Sequence, residues 1–443
     1  MIDQRSRNEK RLHLTITLVC NNDYHRRSRM VTIGRMPRKS KPFFRPVADH
    51  FAFGGFDRFW MLVLAISIGH GSTIDRLTRL LRGPHATHRT NHGEFLWRSD
   101  WDESCVLRQI ALDTLRRVMR QSKRDTRCYF IIDDTQTLKR AKKMDGVGKL
   151  YHHATKKYGT GHTILKVCLY ISGVTIPWGS YLYVKQEHAA ELGAPFKKLT
   201  ELAAEAIGHA DLPEALNVTV LFDAFYLCPT VARACARRGW HYIGVGKSNR
   251  NFTVGGVQKK LRTYGKNVLR RDGRWRAIQG LKASRRYRIA QRVGYLKGLG
   301  EVNVVFSRRS GERKVLALVT DDLRASASHV VRDYLKRWSV ELLIKDEKQQ
   351  LGPGDYRVKR YRAVVRHLHL VDCAYACLTR LALDERGAQG HKQTKQVLSL
   401  PPISQLKAKM RRIVWNEAVE DVVRVSHERP VIRRLEKLLA NAA

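Results

Sequence analysis

Apolar residues change their period several times along the chain, and each change predicts a different kind of element. Between residues 48 and 125 they recur at helical spacing, with Phe59-Trp60-Met61-Leu62-Val63-Leu64 leading one segment and residues 106–119 forming another. From 128 to 245 the pattern becomes short apolar runs of strand length. Cys128-Tyr129-Phe130-Ile131-Ile132 runs into Asp133-Asp134, extended segments follow at 163–171 and 180–184, and 196–207 is helical. Residues 217–222 form another apolar strand running into Asp223, a helix starts near Pro229, and 241–245 is a further strand. This order predicts an α/β fold, a mixed sheet with helices on its faces.

The rhythm breaks between 248 and 312, a stretch expected to be a strand-rich insertion, and 314–320 resumes as a buried strand. A helix then runs from a cap at Ser326 or Ser328 to Gly352-Pro353-Gly354. Residues 360–383 predict a second helix, basic on one side through Arg360, Arg362 and Arg366, and the rest is polar and helical with a break at Pro401-Pro402. The implied domain plan is a basic arm at 1–47, a helical DNA-binding domain at 48–125, a core at 126–385 interrupted by the 248–312 insertion, and a helical dimerisation region at 386–443. Met30 and Met36 offer alternative starts within the arm.

The helix after Ser326 carries the most specific pattern. Tyr334, Arg337, Glu341 and Lys348 fall within an arc of about 60° on a regular helix, so they share one face. Val331, Leu335, Trp338 and Leu342 form a second stripe that would pack this helix onto a core.

Composition narrows the partner. The chain has 83 Lys+Arg against 40 Asp+Glu, a formal charge of +43, which predicts a polyanion. At 443 residues and 43% hydrophobic content it can build large cores, so a ribosomal scaffold role is not needed. Residues 250–297 alone hold 15 Lys/Arg and a single acid, Asp272, interleaved with Tyr264, Trp275, Tyr287 and Tyr295. The longest apolar run, 59–68, is too short to span a bilayer, and no secretory signal is evident. Eight scattered cysteines without CxxC pairs predict reduced thiols in a cytosolic compartment.

Asp134, Asp223 and Glu341 are candidate metal ligands, because acids at strand ends and on a later helix can meet at a sheet edge. Three acids can share two Mg²⁺ ions, with Mn²⁺ as substitute, and such a pair serves in-line phosphoryl displacement. Asp133 and Asp134 point to opposite faces of a strand, and Asp134 is favoured because it directly precedes Thr135. Arg337 suits bidentate grip of a phosphate, Lys348 a point charge, and Tyr334 a donor or stacking surface.

These residues resemble the catalytic core of DDE transposases of the insertion sequence 4 group. The likeness rests on Asp133-Asp134-Thr135, on Leu221-Phe222-Asp223 and on the Tyr334/Arg337/Glu341/Lys348 helix, and the first of these leans toward the insertion sequence 701 branch. It covers roughly residues 125–385. It implies an RNase H-like core with a mainly β insertion before the glutamate helix, and cut-and-paste DNA transposition by a homodimer on two transposon ends, in the bacterial cytoplasm at the nucleoid. It further implies that Asp134, Asp223 and Glu341 hold the metals, that Tyr334, Arg337 and Lys348 hold double-stranded DNA near the cut, and that Trp275 is the candidate to stack on a flipped base. The rival expectation is a catalytically inactive, transposase-derived DNA-binding regulator.

Three weaker signals are set aside. Gly244-Val245-Gly246-Lys247-Ser248 resembles the end of a P-loop, but His241 stands where the first glycine belongs. His85, His88 and His92 lack regular metal-ligand spacing and read as DNA contacts or plain surface. Asn217 and Asn251 match glycosylation acceptors, which carry no meaning in a reducing compartment.

Overall fold

The computed structural model describes residues 33–425 apart from 53, 82–85, 123–125, 142, 153–154, 193–195, 279–284 and 389–396. Most of the expected basic arm, with Cys20 and Met30, lies outside the described residues, as do His85 and the chain beyond 425.

The longest described helices before the first strand are α1 (Gly55–Ile68), α2 (Arg89–Trp97) and α3 (Glu103–Gln121), with shorter ones at Lys41–Phe44 and Ile74–Thr78. The run predicted from 59–64 is buried continuously from Phe59 to Ile68, so α1 is a helix wrapped by protein rather than an amphipathic surface helix. Asp102 caps α3 by accepting from the backbone N–H groups of Ser104 and Cys105 at 2.8 and 2.9 Å.

Among the described residues, twelve strands then form one sheet. Its first part comprises β1 (Arg127–Leu138), β2 (Gly148–His152), β3 (Lys157–Ile171), β4 (Val174–Tyr183), β5 (Asn217–Phe222) and β6 (His241–Val245). Helix α4 (Leu199–Gly208) precedes β5, and α5 (Pro229–Arg237) joins β5 to β6. β1 pairs antiparallel with β3 and parallel with β5, β5 is parallel to β6, and β4 lies against β3. This mixed sheet with helices on its faces is the predicted α/β class and is consistent with an RNase H-like DDE fold.

Residues 248–312 are strand-rich as expected, but they are hydrogen-bonded into the same sheet. They contribute β7 (Asn251–Val254), β8 (Val257–Lys260), α6 (Leu261–Asp272), β9 (Arg274–Ala277), β10 (Arg286–Leu296) and β11 (Gly300–Arg309). β12 (Leu316–Thr320) closes the join, pairing antiparallel with β11 on one side and with β6 on the other. The sheet therefore runs β2-β3-β1-β5-β6-β12-β11-β10-β7-β8 without interruption.

The sheet divides two apolar cores. Alternate residues of β1 face opposite ways: Tyr129 and Ile131 enter one core, Phe130 and Ile132 the other. The first core also takes α1 and a long helix, α9 (Tyr361–Ala388), so the N-terminal helices are built onto the sheet through α9. The described part of the C-terminal region is one helix, α10 (Ile403–Val425), packed against α9. Arg366 was expected on a basic surface of α9, yet its side chain has no exposure. It donates to the carbonyls of Phe95, Leu96, Ser99 and Trp101 and pairs with Glu103 at 3.1 Å. One guanidinium thus satisfies the chain between α2 and α3, and the five-donor fork explains why a charge can be buried there. His92 is likewise fully buried, not a surface contact, and burial lowers its imidazole to about 4.

Candidate active site

The expected helix from 326 to 352 exists but is not regular. Ser326 caps α7 (Ala327–Tyr334), a 3₁₀ turn covers Leu335–Arg337, α8 spans Trp338–Asp346, and a π turn spans Glu347–Leu351. It ends at Gly352, whose φ of 71° places it in the left-handed region that glycine adopts without strain. The change in winding rotates the faces. Val331 is buried as predicted, but Trp338 is 59% exposed and Leu342 48%, so the second stripe does not seal the core. Val330, Val340, Leu343 and Leu351 do so instead.

Ile131 of β1 lies beside Leu221 of β5, and both belong to the core on the helix side. Two residues further on, Asp133 continues β1 and Asp223 stands just past the end of β5, close enough for its charge to act on Asp133. Arg337 donates to Asp133 at 3.0 Å and also to Glu341, joining the first strand to the glutamate helix. Burial pushes the Asp133 carboxyl up to about 6, opposed by Arg337 and reinforced by the charges of Asp223 and Asp134. Asp134 accepts the Tyr226 hydroxyl on its Oδ1 at 3.0 Å and also borders the cleft beside Glu341. Burial, and then the Asp134 charge, hold the Tyr226 hydroxyl protonated, far above the usual tyrosine range. Asp223 accepts the N–H of Phe225 at 2.8 Å.

The remaining expected residues fall at different distances from this cluster. Tyr334 lies beneath Arg337, whose guanidinium carbon is 5.8 Å from the ring, and burial raises its hydroxyl to about 12. Lys348 sits on the π turn and donates to the Gln136 carbonyl of β1 at 3.1 Å. With Asp133, Asp134, Thr135 and Glu341 it lines an open cleft of about 390 Å³. Trp275 is 41% exposed on β9, six strand spacings from β1, or roughly 29 Å at ~4.8 Å per strand. The structure does not bring it to the carboxylates.

Sequence reasoning missed the support under the helix. Lys166 of β3 is the register partner of Asp133, and its fully buried ammonium contacts Asp372 of α9 at 2.5 Å, Glu347 of the π turn at 2.8 Å and Ser180 of β4 at 2.8 Å. Burial raises the Glu347 carboxyl to about 8, with the nearby Asp372 adding to the rise and Lys166 opposing it. No sequence spacing signals this triad, because its members come from β3, the π turn and α9. The only hint is a lone lysine in an apolar strand.

For a hard divalent cation the donor chemistry fits: oxygen-only side chains, one of them raised by burial and by its neighbouring acids and opposed by a guanidinium. Among the described residues, no three such groups already converge on one metal-ligand point.

A mixed α/β sheet that sets acids at the ends of adjacent parallel strands under a glutamate-bearing helix defines a phosphoryl-transfer nuclease class. Residues 61–295, more than half of the chain, match the family described as DDE superfamily endonuclease, and the chain belongs to that family. The matched span contains Asp133, Asp134 and Asp223 and stops before Glu341. No curated protein matches the chain. No helix among the described residues is long and apolar enough to cross a membrane.

Proposed function

We propose that this chain is a DNA transposase that cleaves the terminal inverted repeats of its own element and transfers the freed ends into target DNA, with Asp133, Asp223 and Glu341 as its acidic triad. The observation that carries this reading is the closeness of Asp133 to Asp223 and its junction with the glutamate helix through Arg337. Asp134, favoured by its place before Thr135, takes a supporting role through Tyr226. The insertion sequence 4 assignment and the homodimer remain part of the proposal, resting on the Tyr334, Arg337, Glu341 and Lys348 spacing.

Mg²⁺, when bound by these acids, supplies charge stabilisation for an in-line displacement at phosphorus and activates the attacking oxygen. The residues of the chain do the rest. Arg337 turns its planar fork to a phosphate oxygen once the acids are neutralised, and Tyr334 backs its guanidinium. Lys348, tethered to β1 beside the acids, offers a fixed positive charge to the strand being cut. Trp338, exposed on the glutamate helix three residues before Glu341, offers an aromatic face for a base.

The test is incubation of purified protein and its Glu341→Gln variant with Mg²⁺ and DNA carrying the inverted repeats that flank the gene. Strand breaks at the repeat ends with the wild type alone are expected. Binding with no cleavage in Mg²⁺ or Mn²⁺ would overturn the enzyme in favour of the regulator, and equal cutting of random DNA would make it a nonspecific nuclease.

A further inference from the structure

A second cleft, of about 690 Å³, lies where the N-terminal helices meet the loop that leaves the glutamate helix. Arg76 and Arg79 reach it from the short helix Ile74–Thr78 and its end, Arg89 from the first turn of α2, and Arg357 from the loop ahead of α9. All four are exposed. Asp75 is the one acid among the residues lining it, accepting from Arg79 at 2.9 Å and lying 3.7 Å from Arg89. Arg76 and Arg357 form no ion pair among the described residues. Four guanidiniums against one carboxylate leave a strongly positive concavity, and such a surface costs self-repulsion unless an anion fills it.

The walls are fixed relative to the carboxylates. Ser72 donates its backbone N–H to Asp355 at 3.1 Å and its hydroxyl to the Gly352 carbonyl, with His367 of α9 at 3.1 Å from the same hydroxyl. The turn that ends the glutamate helix is thereby pinned to the segment that carries Arg76 and Arg79. Arg357 stands nine positions after Lys348, so the cleft lies within about 30 Å of Lys348 at full chain extension.

Resting on the DNA reading above, we propose that this arginine cleft binds the phosphate backbone of the transposon-end duplex within about nine base pairs of the cleaved bond, at ~3.4 Å per step along a strand. Guanidinium forks match phosphate oxygens bidentately, and arginines drawn from three segments can meet successive phosphates rather than one small anion. Backbone contacts of this kind set the register of a duplex without reading its bases.

The variants Arg76→Gln, Arg89→Gln and Arg357→Gln, singly and combined, test this, since each residue is exposed and none forms an ion pair with a buried group among the described residues. An end duplex is titrated at several salt concentrations and its phosphates are mapped by ethylation interference. The expected result is a log–log salt slope reduced by about 0.9 for each arginine removed, loss of interference at phosphates within nine base pairs of the cut, and an unchanged melting temperature. If the wild type binds the duplex and the variants keep its slope and its interference pattern, the cleft inference falls and the transposase reading stands. If the wild type binds no DNA at all, both fall. An arginine-dependent rise in melting temperature with inorganic tripolyphosphate, coupled to a duplex pattern indifferent to the arginines, would make this a small-polyanion site and overturn the proposal.

Discussion

Two neighbouring aspartates, Asp133 and Asp134, carry the same charge into different surroundings. Asp133 meets Arg337, while Asp134 meets the Tyr226 hydroxyl, and both line the cleft beside Glu341. Replacing Asp133 by Asn should therefore cost about 10³-fold or more in end cleavage, the order seen when a group facing developing charge is lost. Asp134→Asn should cost about 10–100-fold, as for an outer hydrogen-bonding partner. Single-turnover cleavage of an end duplex ranks the two, and the reverse ranking would return the role to Asp134. From sequence, the strand and its termination in acids were readable. What was not readable is the pair's differing partners, Arg337 and Tyr226, which come from positions 204 and 92 residues away that no local pattern encodes.

At the scale of elements, the glutamate helix owes its seating to the triad beneath it. Lys166→Met leaves Glu347 and Asp372 buried without their cation and should destabilise the fold by about 3–5 kcal/mol in urea unfolding. The triad also makes stability depend on pH. Glu347 has its folded-state pKa raised, so the folded chain holds a proton that the unfolded chain releases, and this contribution is full below about 4.5 and lost as pH rises through about 8. The melting temperature should fall across that window, and Glu347→Gln should flatten the fall; a slope unchanged by Glu347→Gln would mean that another group titrates. The capping serine at 326 and the stop at Gly352 follow from residue preference alone and were legible. The 3₁₀ and π turns were not, because the contacts made there, Arg337 to Asp133, Lys166 to Glu347 and Lys348 to Gln136, come from strands far away in sequence. Trp338 and Leu342 accordingly emerge on the surface, although an even helical count puts them inside.

At the scale of the molecule, the long second interval between Asp223 and Glu341 extends the central sheet instead of hanging from it. A strongly basic, aromatic stretch at 250–297 reads from sequence as a separate attachment, because nothing in it announces that β12 will pair with both β11 and β6. The docking of the N-terminal helices was equally hidden, since an arginine on a helix ordinarily implies solvent. Arg366→Met should leave four backbone carbonyls without their donor and cost several kcal/mol, on the scale of about 1–3 kcal/mol for each unsatisfied buried group. Chemical denaturation should show this as a lower midpoint, or as early release of residues 55–121 in hydrogen exchange. Exchange unchanged there would show that apolar packing alone holds α1 in place.

Arg366 fastens those helices to the same body that bears the acids, so if the arginine cleft holds the end duplex as proposed, the protein would act as a ruler. A duplex gripped near the N-terminal helices cannot adjust its position at the cut by letting one part of the protein swing. Inserting a single base pair between the gripped segment and the cleaved bond would advance the backbone by ~3.4 Å and turn it by roughly 34°. The cut would then stay at a fixed distance from the grip and move by one nucleotide in the sequence of the end, so the rigidity of one buried arginine would be read out as the precision of the excised terminus.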